Sequence, residues 1–167
     1  MTATLELIAV RDTLQAEDLA ELAHTIWHEY YLPLLGQEQV SYMLKTFQST
    51  EKIIADIAEN KLEYFIIEAD EKEIGYAGIE WQEDSLFISK LYLLKEARGK
   101  GYAYQLIQTF IQKAKERSKK TMTLTVNKDN KDSIRFYEKV GFKRIDSVVS
   151  PIGNNFVMDD YIYEYVL

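Results

Sequence analysis

Residues 86–101, which read LFISKLYLLKEARGKG, decide the fold of this chain. They begin as an apolar strand pattern, pass through a charged turn and end in a glycine loop, and residues 102–120 then show helical periodicity. A glycine loop before a helix gathers several backbone N–H groups, and the helix dipole adds about half a positive charge there. The sequence therefore predicts an anion site at this loop.

Composition excludes several classes of protein. A chain of 167 residues is the size of one domain with a full core, so we expect a single domain over residues 1–167. Because the chain has no cysteine, disulfides, thiolate metal ligands and a cysteine nucleophile are excluded. No apolar run approaches the roughly 20 residues that cross a bilayer, and residues 1–12 lack the features of a signal peptide. A cytoplasmic location without a membrane partner follows by elimination.

The formal net charge of −7 argues against nucleic acid as a partner, because such binders are usually basic. An acidic surface instead favours a cationic substrate such as an amine or polyamine. The loop is locally basic within this acidic chain, and a homodimer through the tyrosine-rich last strand is a further partner hypothesis.

The chain reads as a strand, three helices, an antiparallel meander of three strands, and then alternating helices and strands. This pattern predicts an α/β fold with a mixed sheet and helices on both faces. Pro33 is expected to break the first helix, and residues 150–153 are expected to form the last turn. The expected helix caps are Asp12 or Thr13, Ser49, and Asn130 or Asp129. The predicted strands are 4–10, 62–69, 73–82, 86–94, 121–126, 142–149 and 155–166, and the predicted helices are 14–30, 37–47, 50–59, 102–117 and 131–140.

Two familiar phosphate motifs do not fit the loop. A Walker A loop needs Gly-Lys followed by Ser or Thr, which is absent, and a dinucleotide fingerprint needs Gly or Ala where Tyr104 stands. The next strand ends in Asn127, where that fingerprint expects an acidic residue. A plain turn between strand and helix stays open as the alternative.

A second stretch, residues 127–142, carries polar side chains at helical spacing. Asn130, Ser133 and Tyr137 are three and four residues apart, which lines them up on one helix face. A core tyrosine whose hydroxyl is satisfied is the alternative for Tyr137.

Together these stretches resemble the GNAT superfamily of acyl-CoA-dependent N-acetyltransferases. The pyrophosphate loop of that family has Gln or Arg, then Gly three residues later and Gly or Ala two residues after that. Residues 26–31 and 156–165 also resemble small bacterial polyamine-type members. The positions that match the GNAT pyrophosphate loop are Arg98, Gly101 and Ala103. The positions that match the family's downstream pattern, on the predicted helix and just after it, are Asn130, Ser133, Tyr137, Gly141 and Phe142.

The resemblance implies a GNAT-like fold, with a mostly antiparallel central sheet of about seven strands flanked by about four to five helices. It implies acetyl-CoA as co-substrate, with its pantetheine arm pairing to the fourth strand and its pyrophosphate on the loop amides. The fourth and fifth strands would splay apart to admit the thioester. Tyr137 would give a proton to the departing thiolate, whose basicity a phenol broadly matches. The implied coenzyme residues are Leu91, Tyr92, Leu93, Arg98, Gly99, Lys100, Gly101, Tyr102, Ala103, Asn127, Asn130, Ser133 and Tyr137.

The acceptor amine must lose a proton before it attacks, and Glu80 and Glu29 are the candidate bases, with His28 as another. Trp27, Tyr30 and Tyr31 are the candidate walls of the acceptor pocket, together with His28, because aromatic faces attract an ammonium group. The alternatives are solvated surface acids and ordinary core aromatics. His24 and His28 lie four residues apart without an indicated third ligand, so we expect no metal.

These observations predict an enzyme that moves an acetyl group from acetyl-CoA to a primary amine by direct attack, with a small amine or polyamine favoured. A non-catalytic acyl-CoA-binding module would use the same loop, but it would not need a proton donor at Tyr137. Transfer to a protein N-terminus or lysine is the third hypothesis.

Overall fold

The computed structural model of this protein describes residues 4–167 and divides into two compact units. The first unit holds the chain up to Glu80 together with Lys90–Ala103, and the second holds Trp81–Ser89 together with Tyr104–Leu167. Residues 1–3, the start of the segment considered for a signal peptide, lie outside the described residues. A single domain over residues 1–167 stays a prediction.

Among residues 4–167 the fold has seven strands and six α-helices, which confirms the predicted α/β class. The elements are β1 (Leu5–Ala9), α1 (Thr13–Tyr30), α2 (Leu32–Leu35), α3 (Gln37–Phe47), α4 (Thr50–Ala58), β2 (Glu63–Ala69), β3 (Lys72–Trp81), β4 (Ser85–Leu93), a 3-10 turn (Lys95–Ala97), α5 (Tyr102–Glu116), β5 (Thr121–Asn127), α6 (Lys131–Val140), β6 (Lys143–Gly153) and β7 (Phe156–Val166).

The strands form one sheet in the order β1-β2-β3-β4-β5-β7-β6. Antiparallel ladders join β1 to β2, β2 to β3, β5 to β7 and β7 to β6. The ladder between β4 and β5 is parallel and runs from Ser85–Thr121 to Ile88–Leu124. The sheet is therefore mixed and mostly antiparallel, as expected.

Three helix starts carry the predicted side-chain caps. Asp12, Ser49 and Asn130 each accept a hydrogen bond from the backbone N–H three residues further on, at 2.8, 3.2 and 3.3 Å. Such a cap satisfies one of the donors that the first helical turn leaves unpaired. At the other end of α6, Gly141 has a positive φ of 120°, a conformation that favours glycine where a helix ends.

The helix break at Pro33 is more limited than the sequence suggested. The chain re-enters a single helical turn, α2, and the proline lies in its first turn. Proline is tolerated there because the missing N–H would have no partner in the helix anyway. This turn is the sixth helix, one more than the five that periodicity marked.

The prediction of a turn at residues 150–153 is wrong. β6 continues to Gly153, and the hairpin turns at Asn154 and Asn155, which both have positive φ. Asparagine tolerates that conformation and is favoured in two-residue hairpins. Pro151 fits inside β6 because this strand is at the edge of the sheet, where a missing N–H costs no ladder bond.

The tyrosine-rich last strand is not a sheet edge. β7 lies between β5 and β6 and pairs with both, so it cannot offer the dimer edge proposed from the sequence. Placement of β7 required the long-range pairing of residues 121–127 with residues 160–166, which local patterns do not reveal.

Each unit has its own apolar core. In the first unit Ile26, Val40, Ile53 and Ile67 are fully buried, and in the second the helix α5 contributes Ile107, Phe110 and Ala114 beside Leu86 and Met122. Gly75 in β3 is required by a close approach, because a Cβ atom there would lie 2.1 Å from the Tyr92 carbonyl oxygen. Within residues 4–167 no helix is both long enough and apolar enough to cross a membrane.

Candidate functional site

The predicted anion loop is an open turn that leads directly into α5. Gly99 and Gly101 have φ values of +75° and +83°, and a Cβ atom at either position would have no neighbour within 4 Å. These left-handed conformations favour glycine, and both residues are exposed. Lys100, between them, is exposed as well, and Tyr102 is the first residue of α5. The loop thus leaves its backbone open to a ligand.

Arg98 is held beside this loop by two contacts. Its Nε donates to the Leu93 carbonyl at 3.2 Å, and its guanidinium carbon lies 4.6 Å from the centre of the Tyr30 ring. Its Nη2 is buried and has no hydrogen-bond partner among residues 4–167. An unpaired buried donor on a guanidinium is costly, and an oxyanion is its natural partner.

The end of β4 carries the residues expected to pair with the pantetheine arm. Leu91 and Tyr92 are half-buried, and Leu93 is buried. The Tyr92 hydroxyl lies 2.9 Å from that of Tyr31, within hydrogen-bond distance. The parallel ladder with β5 ends at Ile88, three residues before Leu91.

An aromatic cluster surrounds Tyr92 at the C-terminal end of α1. The rings of Trp27, Tyr30 and Tyr31 lie 5.8 to 5.9 Å from the Tyr92 ring in edge-to-face arrangements. Trp27 and Tyr31 are only 3% and 7% exposed, so protein atoms already enclose them. Tyr30 and Tyr92 are half-buried and keep accessible surface.

A buried polar network below this cluster was not foreseen from the sequence. The Trp27 indole N–H donates to the Tyr76 hydroxyl at 2.7 Å, and that hydroxyl donates to Gln48 Oε1 at 2.7 Å. Gln48 Nε2 donates in turn to the Tyr64 hydroxyl at 3.2 Å. Burial raises the pKa of Tyr76 and of Tyr64 well above that of a free phenol, so both remain neutral. The network fixes Trp27 in position.

The two candidate carboxylates have different surroundings. Glu29 Oε1 accepts a hydrogen bond from the Lys95 backbone N–H at 3.1 Å, and its side chain is exposed. Glu80 lies near the end of β3 and is half-buried. Glu29 therefore already has a partner in the segment that leads to the loop.

His28 lies on another side of α1, facing α3. Its Nδ1 is 2.7 Å from the His24 carbonyl oxygen, and because a carbonyl only accepts, Nδ1 carries the proton. Its Nε2 lies 3.4 Å from Gln37 Nε2. The ring borders a surface groove of about 470 Å³ that Ser41 and Lys45 also line. None of the other predicted acceptor-pocket residues lines this groove.

In the second unit, Tyr137 lies on α6, where its ring packs at 5.2 Å from Phe136 and 5.5 Å from Phe142. It shares this helix with Ser133, one turn earlier, and with the cap residue Asn130. Asn127 is buried at the end of β5, and its Oδ1 accepts from the Asp129 backbone N–H at 2.9 Å. Both asparagines thus shape the turn that starts α6, and the predicted spacing is realised on one helix.

The sequence did not indicate the shifted pKa values of two further groups, Lys90 and Asp160. Burial lowers the pKa of Lys90 in β4 to about 8, although the nearby Asp56 carboxylate opposes the shift. Because side chains alternate between the two faces of a strand, Lys90 lies on the same face of β4 as the buried residues Leu86 and Ile88. This alternation in the sequence could have indicated that Lys90 is partly buried. Asp160 in β7 lies opposite Asn127, and its Oδ1 is buried without a partner among residues 4–167.

Among the residues that the structure describes, no group of three His, Asp or Glu side chains is placed to hold a metal ion.

Asp160 gives the protein a pH-dependent stability. Burial, with a smaller effect of Asp159, raises the pKa of Asp160 from 3.8 to about 6. Since the folded state favours the protonated carboxyl, the contribution of this group to stability decreases as the pH rises from 3.8 to about 6 and is constant above that. We expect Asp160→Asn to stabilise the protein by about 1–2 kcal/mol at pH 7.5, after discounting for partial exposure, and much less at pH 4.5. Urea denaturation of both proteins at the two pH values measures this, and an equal gain at both would contradict it.

The sequence motifs indicated a family, and comparison with known proteins agrees with it. The model of the acetyltransferase (GNAT) family matches residues 19–142. The chain therefore belongs to the GNAT family, as its sequence motifs indicated.

Two N-acetyltransferases of related sequence and one solved structure are similar to this chain. The uncharacterised N-acetyltransferase YjgM of Escherichia coli (strain K12) is 30% identical over 95 residues, which cover 54% of this chain and 57% of that protein. The uncharacterised N-acetyltransferase Mb2688 of Mycobacterium bovis is 26% identical over 77% of this chain and 83% of that one. The structure of the PaiA N-acetyltransferase from Thermoplasma acidophilum in complex with coenzyme A superposes with a TM-score of 0.82 at 21% identity, covering 98% of this chain and 99% of that chain. The GNAT fold is thereby confirmed.

Proposed function

We propose that this protein transfers the acetyl group of acetyl-CoA to a primary amine, with a small amine or polyamine favoured. The observation that carries the proposal is the loop of residues 98–103. It offers two left-handed glycines, open space above the backbone, and the unpaired Nη2 of Arg98 at the N-terminal end of α5. This donor set fits a pyrophosphate, because anions are stabilised by backbone N–H groups and by a guanidinium.

The backbone of Leu91, Tyr92 and Leu93 would pair with the pantetheine arm as an added strand does. The end of the β4–β5 ladder at Ile88 supports this role, since β4 continues for five more residues. Asn127 and Asn130 would lie near the arm, and Ser133 would contact it from the first turn of α6. Acetyl-CoA acts here as co-substrate, and no metal is needed.

In the proposed reaction the neutral amine nitrogen attacks the thioester carbonyl, the C–S bond breaks, and the products are the N-acetylated amine and free coenzyme A. Tyr137 would donate its hydroxyl proton to the departing sulfur. The nitrogen loses its second proton to water as the amide forms, and Tyr137 takes a proton back from water. Glu80 would accept the proton that the ammonium form of the substrate must lose, directly or through water. The GNAT motif positions support the role of Tyr137. The position of Glu80 late in β3 motivates the second role.

The acidic charge of −7 supports a cationic acceptor. The half-buried faces of Tyr30 and Tyr92 are the surface most suited to an ammonium group, while Trp27 and Tyr31 would support them from behind. A cytoplasmic location remains a prediction from the sequence.

The test is release of free thiol from acetyl-CoA in the presence of an acceptor panel. The panel contains diamines, spermidine, monoamines, amino acids and a short peptide with a free N-terminus. Turnover with the amines supports the proposal, and turnover only with the peptide would instead identify a protein N-acetyltransferase. Coenzyme binding by calorimetry without turnover of any acceptor would identify a binding module and contradict the enzymatic role.

A further inference from the structure

We infer that Glu29 is a positioning residue that holds the coenzyme loop against the end of α1, and that it is not the general base. This inference rests on the proposed coenzyme site. Three consecutive residues, Glu29, Tyr30 and Tyr31, each contact the segment from Tyr92 to Arg98.

The 3-10 turn at Lys95–Ala97 lacks a cap of its own. Leu94 occupies the cap position and makes no side-chain hydrogen bond there, so the first backbone N–H of the turn needs another partner. Glu29 Oε1 accepts from that N–H, on Lys95, at 3.1 Å across 66 residues of sequence. The Glu29 carboxylate in α1 thus accepts the hydrogen bond that a capping side chain next to the turn would normally accept.

Glu29 is also poorly placed for its own helix. It lies in the last turn of α1, where the helix dipole is negative and disfavours a carboxylate. The hydrogen bond to Lys95 offsets this unfavourable position. A residue that breaks a local rule and gains a long-range contact is the pattern expected of a functional position.

The neighbouring contacts lie on the same segment. The Arg98 guanidinium covers the Tyr30 ring at 4.6 Å, well within cation–π range, and the Tyr31 and Tyr92 hydroxyls are 2.9 Å apart. Together the three contacts fix the turn from which Arg98 and the loop amides project. They also join this turn to the aromatic residues proposed for the acceptor. A movement of the loop on coenzyme binding would therefore also shift the side chains of the aromatic cluster.

The experiment compares Glu29→Ala with Glu29→Gln. Glutamine keeps an oxygen that accepts from the Lys95 N–H but cannot act as a base at neutral pH. We expect Glu29→Ala to raise the Kd and KM for acetyl-CoA about 5- to 10-fold, the effect of one lost hydrogen bond of typical net strength, with kcat within about twofold. We expect Glu29→Gln to restore most of the affinity, and both variants to keep the wild-type pH profile of kcat. Glu17→Ala, an exposed acid on the same helix, is the control.

Two results would overturn the inference. A large loss of kcat in both variants, with the acidic limb of the pH profile removed, would make Glu29 the base. An unchanged coenzyme affinity in Glu29→Ala would show that the contact positions nothing. Failure of the proposed function is distinguishable from both, because the wild-type protein itself would then either show no calorimetric binding of coenzyme A or bind it and release no thiol from acetyl-CoA with any acceptor.

Discussion

Replacing Gly101 with aspartate is expected to weaken acetyl-CoA binding about 100-fold. The residue has a φ of +83° in the loop proposed to hold the pyrophosphate, and open space lies above it. An aspartate there would place a negative charge at the anion site, and two like charges about 4 Å apart repel by about 4 kcal/mol near a protein surface, before screening by salt. Titration calorimetry with coenzyme A measures the loss.

Gly101→Asn is the matched control for this change. Asparagine has nearly the same shape as aspartate, carries no charge and tolerates positive φ. We expect it to lose about 10-fold or less in affinity, so the difference between the variants isolates the charge. Since the loop is exposed, thermal melts of both variants should stay close to each other. Near-native affinity of the aspartate variant would disprove the pyrophosphate assignment.

Tyr137→Phe is expected to lower kcat about 100-fold while changing the Kd for acetyl-CoA less than about threefold. General acid catalysis contributes at least this factor in many enzymes, and phenylalanine removes only the hydroxyl. The ring contacts with Phe136 and Phe142 survive the substitution, so the variant should fold normally. Steady-state kinetics across the pH range, with calorimetry for binding, separate the two effects.

Tyr104→Phe provides the control, because this tyrosine is 53% exposed on α5 and has no proposed role. Its kcat should equal that of the wild-type protein. If Tyr137→Phe turned over at the wild-type rate at every pH, Tyr137 would have no part in the reaction. If it lost affinity for coenzyme A instead, its hydroxyl would serve binding.

Local patterns predicted most of the secondary structure. The starts of three helices could be predicted from the capping residues Asp12, Ser49 and Asn130, because a cap is a contact between near neighbours in the sequence. The error in the β6–β7 hairpin has the opposite cause. Proline and glycine at 151 and 153 suggested a turn, yet pairing with β7 extends β6 through both of them. The edge position that permits Pro151 was not visible in the sequence.

Solvent exposure differs among residues that were equal candidates for one role in the sequence. Trp27, Tyr30 and Tyr31 were equal candidates for an acceptor pocket, but Trp27 and Tyr31 are enclosed while Tyr30 keeps accessible surface. Likewise, the unpaired carboxylate of Asp160 depends on its position opposite Asn127 in a ladder. Solvent access is set by the packing of distant elements, so no spacing rule reports it.

The sequence by itself determined the GNAT family, through the loop of residues 98–103 and the Asn130, Ser133 and Tyr137 pattern, because both motifs are short and local. It also determined the class of the fold, since periodicity of 2 or 3.6 residues is a property of neighbouring positions. Only the tertiary structure assigned a partner to Glu29. Its contact with Lys95 joins residues 66 positions apart, and such a contact exists only after α1 and the end of β4 have packed together.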